Sequence, residues 1–238
     1  MRTKKLKNEL VLACKILVNQ HLDSGPFGNV SIKVPGKNQF LINPAGITFE
    51  QLKIDDILCV DFNGKVIEGK HKEAHPGEFI HREIYRLRED VSAIVHTHSE
   101  NTVIMSLLGC LIEPFTQLGS SIYSDQGIYQ GFNGPVRTSK EGLAIATALG
   151  NKSLVIAKNH GLFAVGSSLP AALWDMIVAD KASKIHLAAR RMGLLKANKL
   201  SNKLMKKSKI EVRDKQCELM WNALKVQSLH TTKISKKI

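Results

Sequence analysis

The segment Ala93-Ile94-Val95-His96-Thr97-His98 sets the tightest constraint on this chain. Its apolar run reads as a strand, and side chains alternate along a strand, so His96 and His98 fall on the same side of it. Two imidazoles on one face, next to a hydrophobic strand, make half of a transition-metal site. A third candidate, His160, stands in Asn159-His160-Gly161 after a second apolar run, Leu154-Val155-Ile156-Ala157. Two readings are open here. Each histidine can be a hydrogen-bonded core residue. Alternatively, the three surround a metal with a fourth position open, the pattern of a catalytic rather than a structural site.

A chain of 238 residues fits one large domain or two small ones, and a hydrophobic content of 43% supplies a sizeable core and excludes a disordered chain. No apolar run reaches the roughly 18 residues a membrane-spanning helix needs. The basic N-terminus is soon interrupted by Glu9, Cys14 and Lys15, which marks an amphipathic helix and not a signal peptide. Cys14, Cys59, Cys110 and Cys217 are far apart among apolar neighbours and read as reduced, mostly buried thiols of a cytoplasmic protein. The net charge of +13 is uneven: residues 194–238 hold 12 Lys and Arg against 3 Asp and Glu, a net +9, leaving +4 for residues 1–193. Such a tail binds nucleic acid in some proteins and is a solvated lysine-rich segment in others. With Trp221 as its one aromatic and no recognition motif, no nucleic-acid partner is expected.

Hydrophobic periodicity predicts a helix over 6–21, strands over 30–34 and 40–42, and a hairpin of 57–61 with 65–67 around Asn63-Gly64. Thr48 with Glu50 and Gln51 marks a short helix start. Helices follow over 78–88, 102–108, 140–149 and 170–192, with strands over 93–96, 154–157 and 162–165. One helix over 209–225 is expected in the tail. On the long helix, Asp180, Lys181 and His186 read as surface or interface residues. The mixture of elements, without regular alternation, argues for one α/β or α+β domain with a mixed sheet covered by helices.

Glu78 opens the helix that precedes the histidine-bearing strand. It can complement the helix dipole, or swing toward a metal as a fourth ligand or a base. Gly28-Asn29 and Ala45-Gly46 lie in glycine-bearing turns that can present backbone N–H groups to an anion or can simply be turns.

The succession Gly28-Asn29-Val30-Ser31, Asn43-Pro44-Ala45-Gly46-Ile47, Glu78 through Tyr85, Val95-His96-Thr97-His98-Ser99 and Asn159-His160-Gly161-Leu162 resembles the class II aldolase/adducin family over residues 5–193. The resemblance implies an α/β fold, a three-layer α/β/α sandwich with a mostly antiparallel central sheet, and a homotetramer. It implies His96, His98 and His160 as metal ligands, Glu78 as the acid/base that also ligates the resting metal, and Gly28, Asn29, Ala45 and Gly46 as substrate contacts. Zinc is the first choice for such a ligand set, with manganese or cobalt able to substitute. The implied activity is that of a lyase. It cleaves or decarboxylates a small hydroxy-carbonyl or hydroxy-acid substrate through a metal-stabilised enolate or enediolate. A sugar-phosphate epimerase or dehydratase, or a non-catalytic adducin-like binding module, is the alternative. Three departures bear on the substrate. Pro76-Gly77 stand where sugar-phosphate aldolases carry Ser-Ser, Glu78-x-x-His81 is one residue short of Glu-x-x-x-His, and Phe115-Thr116-Gln117 occupy the place of an aldolase Tyr or His.

Overall fold

Leu10, Ala13, Cys14 and Leu17 recur at helical spacing and form the fully buried stripe of α1 (Arg2–Asn19). The computed structural model describes residues 2–132, 134–194 and 200–234. After α1 come four antiparallel strands, β1 (Asn29–Lys33), β2 (Gln39–Ile42), β3 (Leu58–Asp61) and β4 (Val66–Glu68). Thr48 does not start a helix: residues 49–51 form a turn, and a single 3-10 turn follows at Ile54–Asp56. Next come α2 (Glu78–Leu87), β5 (Ala93–Thr97), α3 (Glu100–Leu108), α4 (Gln117–Ser120), β6 (Gln126–Tyr129) and α5 (Ser139–Leu149). The antiparallel pair β7 (Leu154–Ala157) and β8 (Gly161–Gly166) then leads into α6 (Leu169–Arg191).

The strands form one eight-stranded sheet in the order β4-β3-β2-β1-β5-β8-β7-β6. Every neighbouring pair is antiparallel except β6 with β7. Helices cover both faces, so the fold is the α/β/α sandwich with a mostly antiparallel sheet. Alternation within β5 shows how one strand serves both layers. Ala93 and Val95 join the core beneath α1 and α6, while Ile94 joins the core beneath α2 and α5. His96, one step beyond Val95, therefore faces the α2 side.

β6 was not anticipated. It is four residues long, contains Gly127, and gains its place only by pairing in parallel with β7, for which α5 supplies the crossover. Gly142 sits where α5 crosses α2, and a Cβ there would run into the Phe79 backbone carbonyl, which has no side-chain freedom to move away. Alanine ordinarily favours a helix over glycine by about 1 kcal/mol. Gly142→Ala is expected instead to lower stability by about 1–3 kcal/mol through overpacking. A urea midpoint at or above that of the parent would contradict this close crossing.

The C-terminal segment is not a separate appendage. α7 (Asn202–Ser208), a π-helical stretch Lys209–Asp214 and α8 (Lys215–Ile234) follow α6, so the helix expected over 209–225 starts as the π-helical stretch and continues as the first half of α8. Met205 and Trp221 are buried against the sandwich. Arg213 Nε and Nη2 donate to the two oxygens of Asp175 on α6, at 2.7 Å each. Of the tail set apart on composition, residues 195–199 and 235–238 lie outside the described residues. On α6, Asp180 and His186 are buried inside the chain rather than displayed: Asn101 Nδ2 donates to Asp180, and the Glu113 N–H donates to His186 Nδ1 at 3.0 Å. No described helix is long and apolar enough to cross a membrane.

Candidate active site

The pairing of β5 with β8 sets His96 opposite Phe163 and Thr97 opposite Leu162. His96 Nδ1–H donates to the Leu162 carbonyl at 2.8 Å, which leaves the Nε2 lone pair free. Its ring stacks on Phe163, with centroids 3.8 Å apart and planes 6° from parallel. His98 lies just past the strand, where the chain turns into α3, and its backbone N–H donates to Ser24 Oγ at 2.6 Å. His160 sits in the tight turn between β7 and β8. Asn159 there takes a left-handed conformation at φ 59°, and Gly161, at φ 153°, lets the turn close against the Thr97 carbonyl, which a Cβ would meet at 3.1 Å.

Three turns and strands distant in sequence thus bring one ring nitrogen from each of His96, His98 and His160 within 4.8 Å of the others. The Nε2 atoms of His96 and His98 are 3.1 Å apart. Two imidazoles at tetrahedral angles around an ion, with metal–nitrogen bonds of about 2.0–2.1 Å, stand about 3.3 Å apart. The donor set therefore fits one divalent ion without large movement. Burial, followed by the mutual influence of the neighbouring imidazoles, holds His96 well below the usual histidine range and brings His160 down to about 4. Burial lowers His98 as well. All three are neutral at neutral pH, the form in which imidazole ligates a metal.

The histidines form the floor of a cavity of about 580 Å³. Asn29, Ala45 and Gly46 line it, and so do Pro76 and Gly77. Gly28 stands one layer behind, where a Cβ would strike the Phe49 ring at 2.7 Å. Residues 115–117 serve elsewhere: Phe115 packs on His186, and Thr116 Oγ1 caps α4 by accepting from the Gly119 N–H at 3.0 Å.

Glu78, expected as acid/base and ligand, is not among the residues that line this cavity. Successive helical residues are about 100° apart. Gly77 and His81, one turn apart, face the sheet, so Glu78 and Arg82 point round to the Asn63-Gly64 hairpin. The Glu78 carboxylate lies 3.6 Å from Arg82 Nη1 and beside Gly64. Burial raises its pKa despite the attraction of Arg82.

Sequence reasoning missed His75, which lines the cavity from a loop with no periodicity to mark it. The Gly77 N–H donates to its Nδ1 at 3.0 Å, so that nitrogen is an acceptor, and Asn29 Nδ2 therefore donates to it at 3.1 Å. Burial lowers the His75 pKa to about 4 and keeps the ring neutral. Behind it, His81 Nδ1, Ser31 Oγ and Tyr85 Oη form a buried chain with both links at 2.7 Å.

An α/β/α sandwich with a three-imidazole cluster at the end of its central strands is a scaffold that could hold a metal ion. The chain belongs to the class II aldolase/adducin family: the sequence profile of the class II aldolase and adducin N-terminal domain matches residues 8–187. It is 31% identical to the L-fuculose phosphate aldolase of Methanocaldococcus jannaschii over 182 residues, 76% of this chain and 95% of that one. It is 30% identical to the decarboxylase NovR of Streptomyces niveus over 152 residues, 63% of this chain and 56% of that one. Among solved structures it is similar to the L-fuculose 1-phosphate aldolase of Glaciozyma antarctica PI12. The TM-score is 0.86 at 25% identity, covering 98% of this chain and 91% of that one.

Proposed function

We propose that this protein is a metal-dependent carbon–carbon lyase acting on a small hydroxy-carbonyl or hydroxy-acid substrate, with His96, His98 and His160 holding the ion. The observation that carries this reading is the convergence of three neutral imidazoles on the floor of a roomy cavity. Zinc suits three imidazoles best, and manganese or cobalt fits the same donors. When bound, the ion supplies Lewis acidity, drawing negative charge onto substrate oxygen as a neighbouring C–C bond breaks.

The residues of the chain do the rest. The hydrogen bond from His96 Nδ1 to Leu162 keeps Nε2 aimed at the cavity. Asn29, Ala45 and Gly46 border the substrate, with Gly28 giving the close approach behind them. No carboxylate, phenol or ammonium group lines this cavity among the described residues. Tyr129 and Glu141 line only a crevice of about 10 Å³ beside His160, room for a single water. Aldol cleavage begins by taking a proton from a carbinol and needs a base. Loss of carbon dioxide does not. Where the substrate has a carbonyl one carbon beyond the carboxyl-bearing carbon, the bond to the carboxylate breaks, carbon dioxide leaves, and the electron pair moves onto that carbonyl oxygen as an enolate, whose carbon then takes a proton from solvent. Decarboxylation is therefore the preferred form of the reaction, and the likeness to a decarboxylase supports it. Aldol cleavage comes second, on the likeness to fuculose-phosphate aldolases.

Carbon dioxide release from 3-keto and 2-hydroxy-3-keto acids by the metal-loaded protein tests the reading. Release that stops on chelation is expected; aldehyde release without carbon dioxide would restore aldol cleavage. Glu78→Gln is expected to leave kcat/KM within about threefold of the parent. A thousandfold loss would return Glu78 to the chemistry.

We place the chain in a homotetramer, for which exposed apolar side chains away from the cavity offer surface: Leu107, Met192 and Leu219 are 54%, 70% and 62% exposed. Four free thiols suit the reducing cytoplasm.

A further inference from the structure

The walls of the cavity are chemically one-sided. Phe163 lies against the histidines, Ile80 and Val136 form the sides, and Phe27 and Phe132 stand at the mouth, 65% and 49% exposed. None of the described residues lining it is Lys, Arg, Ser or Thr. An anionic phosphate there meets no side-chain cation, and burying such a charge unpaired is costly.

The amides do not repair this. Asn29 is buried, and its orientation is decided by His75: because Gly77 already donates to His75 Nδ1, Asn29 must turn its NH₂ toward that nitrogen. One of its two N–H groups is used there, and its Oδ1 has no hydrogen-bond partner among the described residues. That oxygen accepts from a hydroxyl and repels a phosphate dianion, which has no proton to give it. The other amide, Asn159, is exposed to solvent at the turn carrying His160. Pro76 and Gly77, also in the wall, add no hydroxyl.

We propose that the cavity takes an unphosphorylated 3-keto or 2-hydroxy-3-keto acid bearing an apolar substituent of about the size of a phenyl ring. This rests on the metal-dependent reading of the three histidines. The acid and its neighbouring oxygen face the imidazole floor, and the substituent lies between Ile80, Val136 and Phe132. Phe27 and Phe132 are the specificity-determining residues at the mouth. A cavity of about 580 Å³ accommodates a substrate of this size with room to spare.

Isothermal titration of the zinc-loaded full chain with lactate, 3-phenyllactate and 3-phosphoglycerate tests this. The three probes share the 2-hydroxycarboxylate and differ only at carbon 3, as methyl, benzyl or phosphorylated hydroxymethyl. 3-Phenyllactate is expected to bind about tenfold or more tighter than lactate, the gain from burying a ring. 3-Phosphoglycerate is expected to bind no tighter than lactate. Phe132→Ala, at a half-exposed position, should remove about threefold or more of the phenyl gain. Tighter binding of 3-phosphoglycerate than of 3-phenyllactate overturns the proposal, as does a 3-phenyllactate affinity equal to that of lactate or too weak to measure. If each probe binds as tightly with the metal stripped as with it loaded, the lyase reading fails; the ranking of phenyl against phosphate still decides the substrate class.

Discussion

His96→Ala is expected to lose stoichiometric metal, binding it at least about a hundredfold more weakly than the parent. Turnover should fall by a factor of about a thousand or more, since the ion stabilises the charge that develops as the bond breaks. His96 is the hinge of the cluster. Its Nε2 is 3.1 Å from that of His98, and its ring centroid is 4.9 Å from that of His160. The Leu162 carbonyl and the Phe163 ring hold it where no rotation is needed to ligate. Removing a buried, stacked ring also costs stability, so the thermal melt is read beside the metal content. His160→Ala, on a less buried turn, separates the two effects: it is expected to lose the metal with a smaller change in melting temperature. One zinc per chain in the His96→Ala, His160→Ala double variant would end the assignment.

Arg213→Ala is expected to destabilise the protein by about 3–5 kcal/mol, because it strands a fully buried carboxylate. Asp175 has 0% exposure and accepts two hydrogen bonds from the Arg213 fork, each 2.7 Å long. Burial pushes the Asp175 carboxyl up even with this partner, while the hydrogen bonds that Arg213 donates to Asp175 hold the guanidinium firmly protonated. For a chain of this size the loss corresponds to roughly 10 °C in melting temperature. The double variant Asp175→Leu, Arg213→Leu should recover most of it, since no charge is then left unpaired in the core. A loss below about 1 kcal/mol in the single variant would mean that the π-helical turn is not what anchors the C-terminal helices to α6.

Much of the fold was legible in local patterns. The stripe of α1, the strand pairs around 30–42 and 57–67, and the run into His96 all follow from periodicities that a short window reveals. β6 was not legible, because a strand of four residues containing Gly127 acquires its identity from β7, some 28 residues on. The three histidines were visible as residue types at strand ends. Glu78 misled because its role depends on the phase of α2, and a shift of one residue turns a side chain by about 100°. His75 was invisible for the opposite reason: nothing in its own neighbourhood marks it, and its side-chain partner is Asn29, 46 residues away.

The sequence by itself determined most of the strands and helices, the common side of His96 and His98, the turn geometry that Asn159 and Gly161 permit, and membership of the family. These are properties of neighbouring residues, set by backbone sterics and alternation. Only the tertiary structure decided that Glu78 faces Arg82 and the hairpin, that Asn29 presents an acceptor to the cavity, that the cavity walls are apolar, and that the basic C-terminal helices dock through Arg213. Each of those depends on contacts between segments far apart in the chain, where packing and hydrogen-bond pairing, rather than local propensity, choose the direction of a side chain.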